Sequence, residues 1–432
     1  MKIAVVALGK IGLPLAVQFA SKGHRVVGVD VNQRTVDLVN QAKEPFPGEA
    51  HLQEMLSRLV PSGHLRATAD YADGIGGADV VVVVVPLFVD QQTWQPDFGW
   101  LDSATRSLAA HLSPGALVCY ETTLPVGTTR QRWKPLIESV SGLREGIDFD
   151  LVFSPERVLT GRVLRDLRRY PKLIGALTER GARRAEAFYR AVLEFDARPD
   201  LSRPNGVWDL GSAEAAELAK LAETTFRDVN IGLANQFARF AEGHGIDIYQ
   251  VIEASNSQPY SHIHRPGIAV GGHCIPVYPR LYLYNDPDAT IVRAAREANM
   301  AMPVHAVELA AAALDGSLAG RKVAVLGASY RGRVKETAFS GVFAVVDALV
   351  ERGAVPLVHD PMFAEEELAE HGWTPYRLGM PVDAAIIQTD HPVYADLEPA
   401  DLPGAKVLVD GRRVTAPERW AGVTRLVIGV GA

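Results

Sequence analysis

Cysteine is nearly absent: the 432-residue chain has two, Cys119 and Cys274. A disulfide framework is therefore excluded as the basis of the fold, and a reduced, cytoplasmic setting is the simpler expectation. Long apolar runs are also missing. The longest candidate, Val80 to Val85, is far short of the ~18 residues of a membrane span, and no basic segment followed by an apolar one precedes the first strand, so neither an anchor nor a secretory leader is expected. Positive charge is not in excess, with 44 Lys and Arg against 51 Asp and Glu and a formal charge of -7. Basic tails and aromatic-basic stripes are absent, which removes the electrostatic footprint of a nucleic-acid or anionic-membrane binder. What remains is an ordinary globular composition, 47% hydrophobic and 22% charged, long enough for two or three domains of about 100 to 200 residues each.

The first thirty residues are the most ordered in pattern. Lys2-Ile-Ala-Val-Val-Ala-Leu-Gly-Lys-Ile-Gly12 reads as a strand running into a glycine turn, Leu13 to Ala20 as a helix, and Arg25-Val-Val-Gly-Val-Asp30 as a second strand. This is the βαβ unit that binds a dinucleotide: turn glycines admit the pyrophosphate to the helix N-terminus, and an acid ending the second strand takes the ribose hydroxyls. Gly9, Lys10, Ile11, Gly12 and Asp30 are the cofactor-binding candidates, and the acid favours NAD over NADP. The first place of Gly-x-Gly-x-x-Gly is Ala7, the smallest departure available. An ordinary parallel-sheet turn is the competing reading.

Further strands read as Ala78 to Pro86, Ala116 to Tyr120 and Asp150 to Phe153, each followed by turn chemistry. Ligands of open parallel sheets bind at the carboxyl ends of strands, so Pro86, the segment Thr122-Thr-Leu-Pro-Val-Gly-Thr-Thr129 and the segment Ser154-Pro-Glu-Arg-Val-Leu-Thr-Gly161 become candidates. A weak repeat follows late in the chain, where Lys322-Val-Ala-Val-Leu-Gly-Ala-Ser-Tyr-Arg-Gly332 echoes the N-terminus. The expected fold is α/β, two Rossmann-like domains with parallel sheets joined by a long central helix, the helix being the proline-free run from Gly211 to Glu242. The domains are expected at 1–203, 204–302 and 303–432, with the apolar central helix offering a homodimer surface.

Val270-Gly-Gly-His-Cys-Ile-Pro-Val-Tyr278 seats one of the two cysteines at a Gly-Gly turn. Glycines allow close approach to a small substrate, and a thiol there is either an inert small hydrophobe or a nucleophile. His262, His264, His273 and Cys274 do not have a usual zinc spacing, and no metal is expected.

The order of these motifs resembles the nucleotide-sugar 6-dehydrogenases, which include UDP-glucose, GDP-mannose and UDP-N-acetylhexosamine dehydrogenases. The resemblance covers nearly the whole chain and rests on the N-terminal fingerprint, Thr-Leu-Pro-Val-Gly-Thr-Thr, Ser-Pro-Glu-Arg-Val, Glu217-Leu-Ala-Lys220, Gly-Gly-His-Cys-Ile-Pro-Val and Asp410-Gly-Arg412. Ser-Pro-Glu-Arg-Val, Phe226-Arg-Asp-Val-Asn230 and Gly-Gly-His-Cys-Ile are closest to the UDP-N-acetylhexosamine branch. It implies oxidation of a sugar C6 alcohol to the carboxylate with two NAD, through a thiohemiacetal and a thioester on a cysteine.

By the same resemblance Cys274 is the nucleophile and Lys220 stabilises negative charge on the reacting oxygen, while Glu156 assists thioester hydrolysis and Thr123 orders a water. Arg157, Lys220, Arg265 and Gly271 fall on the substrate side, Arg412 on the cofactor side. Tyr330 and Lys335, in the second domain's first loop, are nucleotide-binding candidates. Departures are present: Tyr278 stands where the family has an aspartate, Thr224 where it has an asparagine, Tyr260 where the N-acetylhexosamine branch tends to have an arginine, and Leu87 where a threonine is usual. A two-electron dehydrogenase with an idle cysteine and a non-catalytic nucleotide-sugar binder are the remaining alternatives.

Overall fold

The computed structural model describes residues 1–46, 48–90 and 92–431, and the chain divides into two compact units, Met1–Ala222 and Glu223–Ala432. The strands of the first are β1 (Lys2–Val6), β2 (Arg25–Val29), β3 (Leu65–Thr68), β4 (Val80–Val83), β5 (Phe88–Val89), β6 (Pro96–Asp97), β7 (Leu117–Tyr120), β8 (Asp150–Phe153), β9 (Lys172–Ala176) and β10 (Val207–Asp209). Eight of them form one sheet in the order β10-β9-β8-β7-β4-β1-β2-β3, and β5 and β6 make a separate hairpin. The sheet is parallel, as expected, except at one place: β9 runs antiparallel to β8, with Phe153 opposite Gly175.

Both faces of this sheet are buried, and the alternation along β1 shows how. Ile3 and Val5 join one apolar cluster, with Leu13, Val17 and Phe188, while Ala4 and Val6 join another, with Leu101, Leu108 and Trp133. A strand covered on both sides reads as an unbroken apolar run, which is why Val80–Val83 carries four valines. The expected strand to Pro86 is shorter than the sequence suggested. Val84 still donates to the Val6 carbonyl at 2.9 Å, but Pro86 has no N–H to offer a ladder and is exposed.

The second unit has β11 (Lys322–Leu326), β12 (Val355–His359), β13 (Thr374–Pro375), β14 (Ala384–Ile387), β15 (Val407–Asp410) and β16 (Thr424–Val427) in one sheet, ordered β13-β12-β11-β14-β15-β16. Every pairing in it is parallel. The thirty-residue helix Ala213–Glu242 corresponds to the run expected from Gly211. Among the described residues no helix is long and apolar enough to cross a membrane.

The weak sequence echo is strong in the backbone. Lys2 donates its amide to Asp79 and Lys322 donates to Asp383, both at 2.8 Å, and each aspartate returns its own amide to the lysine carbonyl. Ala7 donates to the Val29 carbonyl at 2.8 Å, and Gly327 donates to the His359 carbonyl at 2.7 Å. Both donors have left-handed backbones, φ 76° at Ala7 and 113° at Gly327, the conformation that the turn requires and that a Cβ opposes.

That shared turn gives opposite expectations for two substitutions. Ala7→Gly removes the left-handed penalty and should raise stability by about 1 kcal/mol. Gly327→Ala should lower it by at least about 2 kcal/mol, since the new Cβ would stand 2.2 Å from Thr389 Cβ. Thermal unfolding of the two variants beside wild type checks both signs.

Candidate active site

The loop after β1 leads directly into the helix Gly12–Ser21, which has no side-chain cap and no acid in its first turn. A Cβ on Gly12 would lie 1.9 Å from the Ala7 carbonyl oxygen, whereas Gly9 faces open space. Gly9 and Lys10 are exposed and Ile11 is half-buried. The positive end of a helix dipole, free of acids in its first turn and approached across a glycine, suits a diphosphate. Asp30 follows β2; its Oδ2 accepts the Leu8 amide at 2.7 Å and its Oδ1 the Asn32 amide at 2.8 Å. Each oxygen keeps a second acceptor site for a ribose hydroxyl, so these residues fit a dinucleotide.

The ends of β7 and β8 converge on a second set of side chains. The segment 122–129 is pinned by Glu217, whose carboxylate accepts the Gly127 amide (2.6 Å), the Thr129 amide (2.9 Å) and the Thr129 hydroxyl (2.7 Å). Burial pushes Glu217 up to about 7, and these hydrogen bonds restrain the rise. The anchoring holds Thr123 in a buried position after β7. Lys220, buried and on the same helix as Glu217, acts electrostatically on Glu156.

Glu156 itself is engaged in a way the sequence did not reveal. Lys172 Nζ donates to Glu156 Oε2 at 2.9 Å and to Glu121 Oε2 at 2.7 Å, and the Tyr189 hydroxyl donates to Glu121 Oε1 at 2.7 Å. The other Glu156 oxygen accepts the Arg157 amide at 2.7 Å. Burial alone would raise the Glu156 carboxyl, but the Lys172 ammonium and these hydrogen bonds outweigh it and hold it below the ordinary value. Lys172, Glu121 and Tyr189 were missed; the available signal was a lysine opening an otherwise apolar strand, Lys172-Leu-Ile-Gly-Ala176.

In the second unit, Cys274 sits half-buried on a tight turn. Gly271 and Gly272 press against the loop after β11: a Cβ on Gly271 would meet Tyr330 Cβ at 2.5 Å, and one on Gly272 would meet the Tyr330 ring at 2.9 Å. Gly272 also donates to the Ala338 carbonyl at 2.8 Å. The Cys274 carbonyl accepts the Tyr278 amide at 2.9 Å, so the cysteine lies one turn ahead of the helix Tyr278–Asn285. Upstream, Ile268 donates to the Gly411 carbonyl at 3.0 Å, and Gly267 lies tightly against the Arg412 guanidinium, which would stand only 3.2 Å from a Cβ there. The cysteine's own segment therefore crosses the carboxyl ends of β11 and β15, bringing Gly271, Tyr330 and Arg412 into one neighbourhood.

Other candidates are placed differently. Arg412 Nε donates to the Gln388 carbonyl at 2.8 Å. Lys335 directs its ammonium at both Glu367 oxygens, 2.6 and 2.7 Å away, so an anionic ligand would compete with a carboxylate there. Arg265 is exposed, and Tyr260 is 92% exposed. Among the described residues no group of three His, Cys, Asp or Glu gathers to hold a metal ion.

Comparison with known proteins agrees along the whole chain. Residues 1–193 match the NAD binding domain of the UDP-glucose/GDP-mannose dehydrogenase family, residues 214–301 its central domain, and residues 324–417 its UDP binding domain. The UDP-N-acetyl-D-mannosamine dehydrogenase of Pyrococcus horikoshii is 35% identical over 433 residues, 96% of each chain. A solved structure of that organism's enzyme superposes with a TM-score of 0.87 over 99% of both chains at 33% identity. A UDP-glucose dehydrogenase from Pyrobaculum islandicum superposes with a TM-score of 0.83 over 97% of this chain and 98% of its own, at 28% identity. The chain thus belongs to the UDP-glucose/GDP-mannose dehydrogenase family and is an NAD-dependent nucleotide-sugar dehydrogenase.

Proposed function

We propose that this enzyme oxidises the C6 alcohol of a UDP-N-acetylhexosamine, with UDP-N-acetyl-D-mannosamine the foremost candidate, to the uronic acid through a thiohemiacetal and a thioester on Cys274. The observation that carries the reading is the Cys274 turn, which two glycines fasten to the loop after β11 while the thiol stays half-buried. A nucleophile needs such a fixed backbone and a partly open side chain. The choice of sugar leans on full-length relatives that bear that substrate in their names; UDP-glucose is the competing substrate.

Bound at the Gly9–Gly12 turn, NAD+ supplies the acceptor for both two-electron steps. Lys220 offers an ammonium to the oxygen that gains negative charge, a service worth roughly 3 kcal/mol when such a donor is fixed in place. Thr123 orders the hydrolytic water, and Glu156, held ionised by Lys172, takes its proton. Tyr278 brings a phenol and no carboxylate, and a phenol is a poor base at neutral pH, so the base falls to Glu156. Arg157, Arg265, Gly271, Tyr330 and Lys335 fall on the sugar-nucleotide side, and Pro86 and Arg412 on the cofactor side. A nucleophilic thiol stays free in a reducing compartment, which supports the cytoplasm as the enzyme's location.

We propose further that the enzyme works as a homodimer through the helix Ala213–Glu242. Phe226, Leu233, Phe237 and Phe240 recur at helical spacing and are 58%, 43%, 37% and 63% exposed, an apolar stripe of the kind that marks an interface.

Excess NAD+ with limiting UDP-N-acetyl-D-mannosamine should give two NADH per sugar; one would favour the two-electron alternative, and none with this sugar or UDP-glucose would sink the assignment. Cys274→Ser should cut acid formation by at least about a thousandfold, which product analysis by mass spectrometry reads directly. A double variant, Phe237→Glu with Phe240→Glu, should run as a monomer in light scattering after size exclusion, whereas an unchanged mass would remove the helix from the interface.

A further inference from the structure

Behind Glu156 lie three buried side chains: Lys172, so far only the group that holds Glu156 ionised, and Glu121 and Tyr189, which have no part in the chemistry so far. They form a single file. Glu156 Oε2 meets Lys172 Nζ at 2.9 Å, Lys172 Nζ meets Glu121 Oε2 at 2.7 Å, and Glu121 Oε1 takes the Tyr189 hydroxyl at 2.7 Å. The Glu156 side chain is 11% exposed, that of Lys172 3% and that of Glu121 0%, so the file runs inward from the one member that reaches solvent. The two carboxylates share the Lys172 ammonium, and Lys220 acts on Glu156 as well, which keeps that end of the file ionised. Glu121, deeper in, is then the acid on which an added proton costs least.

Resting on the reading of Glu156 as the base of thioester hydrolysis, we infer that Glu121 is the final holder of the proton Glu156 removes from water, with Lys172 positioning both carboxylates and relaying the proton between them. The water oxygen bonds to the thioester carbonyl carbon as its proton passes to Glu156, and the carbon–sulfur bond then breaks to release the thiolate. Lys172 gives one ammonium proton to Glu121 and takes the new one from Glu156, so its own charge is unchanged and Glu156 is ionised again; once product has left, the proton returns through Lys172 to Glu156, the member that reaches solvent, and Glu121 is ready for another cycle. No electrons move in this step.

The electrostatics favour that direction of transfer. Burial, only partly offset by Lys172 and reinforced by Glu156, pushes Glu121 up to about 7, while Glu156 is held low. Burial opposes the Lys172 ammonium, but its two carboxylates outweigh that and hold it above the usual lysine value. The other groups facing Glu121 cannot take its place. Burial and neighbouring charge push Tyr189 well above its ordinary value, and burial pushes Cys119 up to about 12, so both stay protonated.

The sign follows: Glu121 accepts only when ionised, so hydrolysis should slow as pH falls through about 7. The measurement is acyl-enzyme decay on the intact enzyme, acylated with NAD+ and UDP-N-acetyl-D-mannosamine, quenched and weighed by mass spectrometry between pH 5.5 and 8.5 (the range spans about a unit or more either side of the expected inflection). Wild type should lose about tenfold in decay rate per pH unit below the inflection; a flat profile overturns the inference without any variant. Glu121→Gln, which keeps the size of the side chain, should accumulate acyl-enzyme, with decay about tenfold slower at pH 8 and the inflection gone. Wild-type decay and pH profile in that variant would make Glu121 structural only. Glu156→Gln separates the two levels. If it stalls hydrolysis while Glu121→Gln does not, the relay alone falls; if it hydrolyses normally, the base assignment falls and the relay with it.

Discussion

A carboxylate at the end of the second strand of each sheet sets the loop that follows the first strand. Asp30 takes the Leu8 amide, and Asp360 takes the amides of both Ala328 and Ser329 at 2.9 Å. A tight turn leaves backbone donors that no helix or ladder can satisfy, and an unsatisfied buried donor costs about 1 to 3 kcal/mol. The acid removes that cost and fixes the turn at once. The reverse bend at Ala7 and Gly327 then sends the chain over the carboxyl edge of the sheet, where strand ends and helix starts present their groups to ligands.

Buried acids act as fasteners elsewhere too. Glu217 binds a loop through three donors, and Asp410, fully buried, accepts the amides of Thr415, Val414 and Arg412. In each case several N–H groups converge on one carboxylate, which repays its desolvation. The Glu156 file differs: few backbone donors reach it, and its two acids meet at one lysine side chain. Side chains bonded to one another more than to the backbone fasten little and are suited to exchanging a proton.

The parts of the fold written in local pattern were legible: the βαβ opening, the strand ends after β7 and β8, the long helix and the cysteine turn. Lys172 was not, for two physical reasons. Charged residues also open β1, β2 and β11, at Lys2, Arg25 and Lys322, and all three reach solvent while Lys172 does not; nothing in the local sequence separates the buried case. The second reason is direction. In a wholly parallel sheet the start of one strand lies far from the end of its neighbour, but β9 runs against β8, so its first residue comes to the edge where Glu156 lies. Strand direction is a long-range property that periodicity does not carry.

The two sheets share their turn and differ in what the turn leads to. After β1 the helix begins at Gly12, close enough for its N-terminus to face whatever crosses the glycine. After β11 the next helix begins only at Val342, and the intervening loop instead provides Tyr330 and the Ala338 carbonyl as the surface on which Gly271 and Gly272 rest. The same strand-end acid therefore sets a glycine turn ahead of a helix in one unit and a platform for the Cys274 segment in the other. Lengthening one crossover loop is enough for that change, because the turn that anchors it is set by Asp360 and not by the helix.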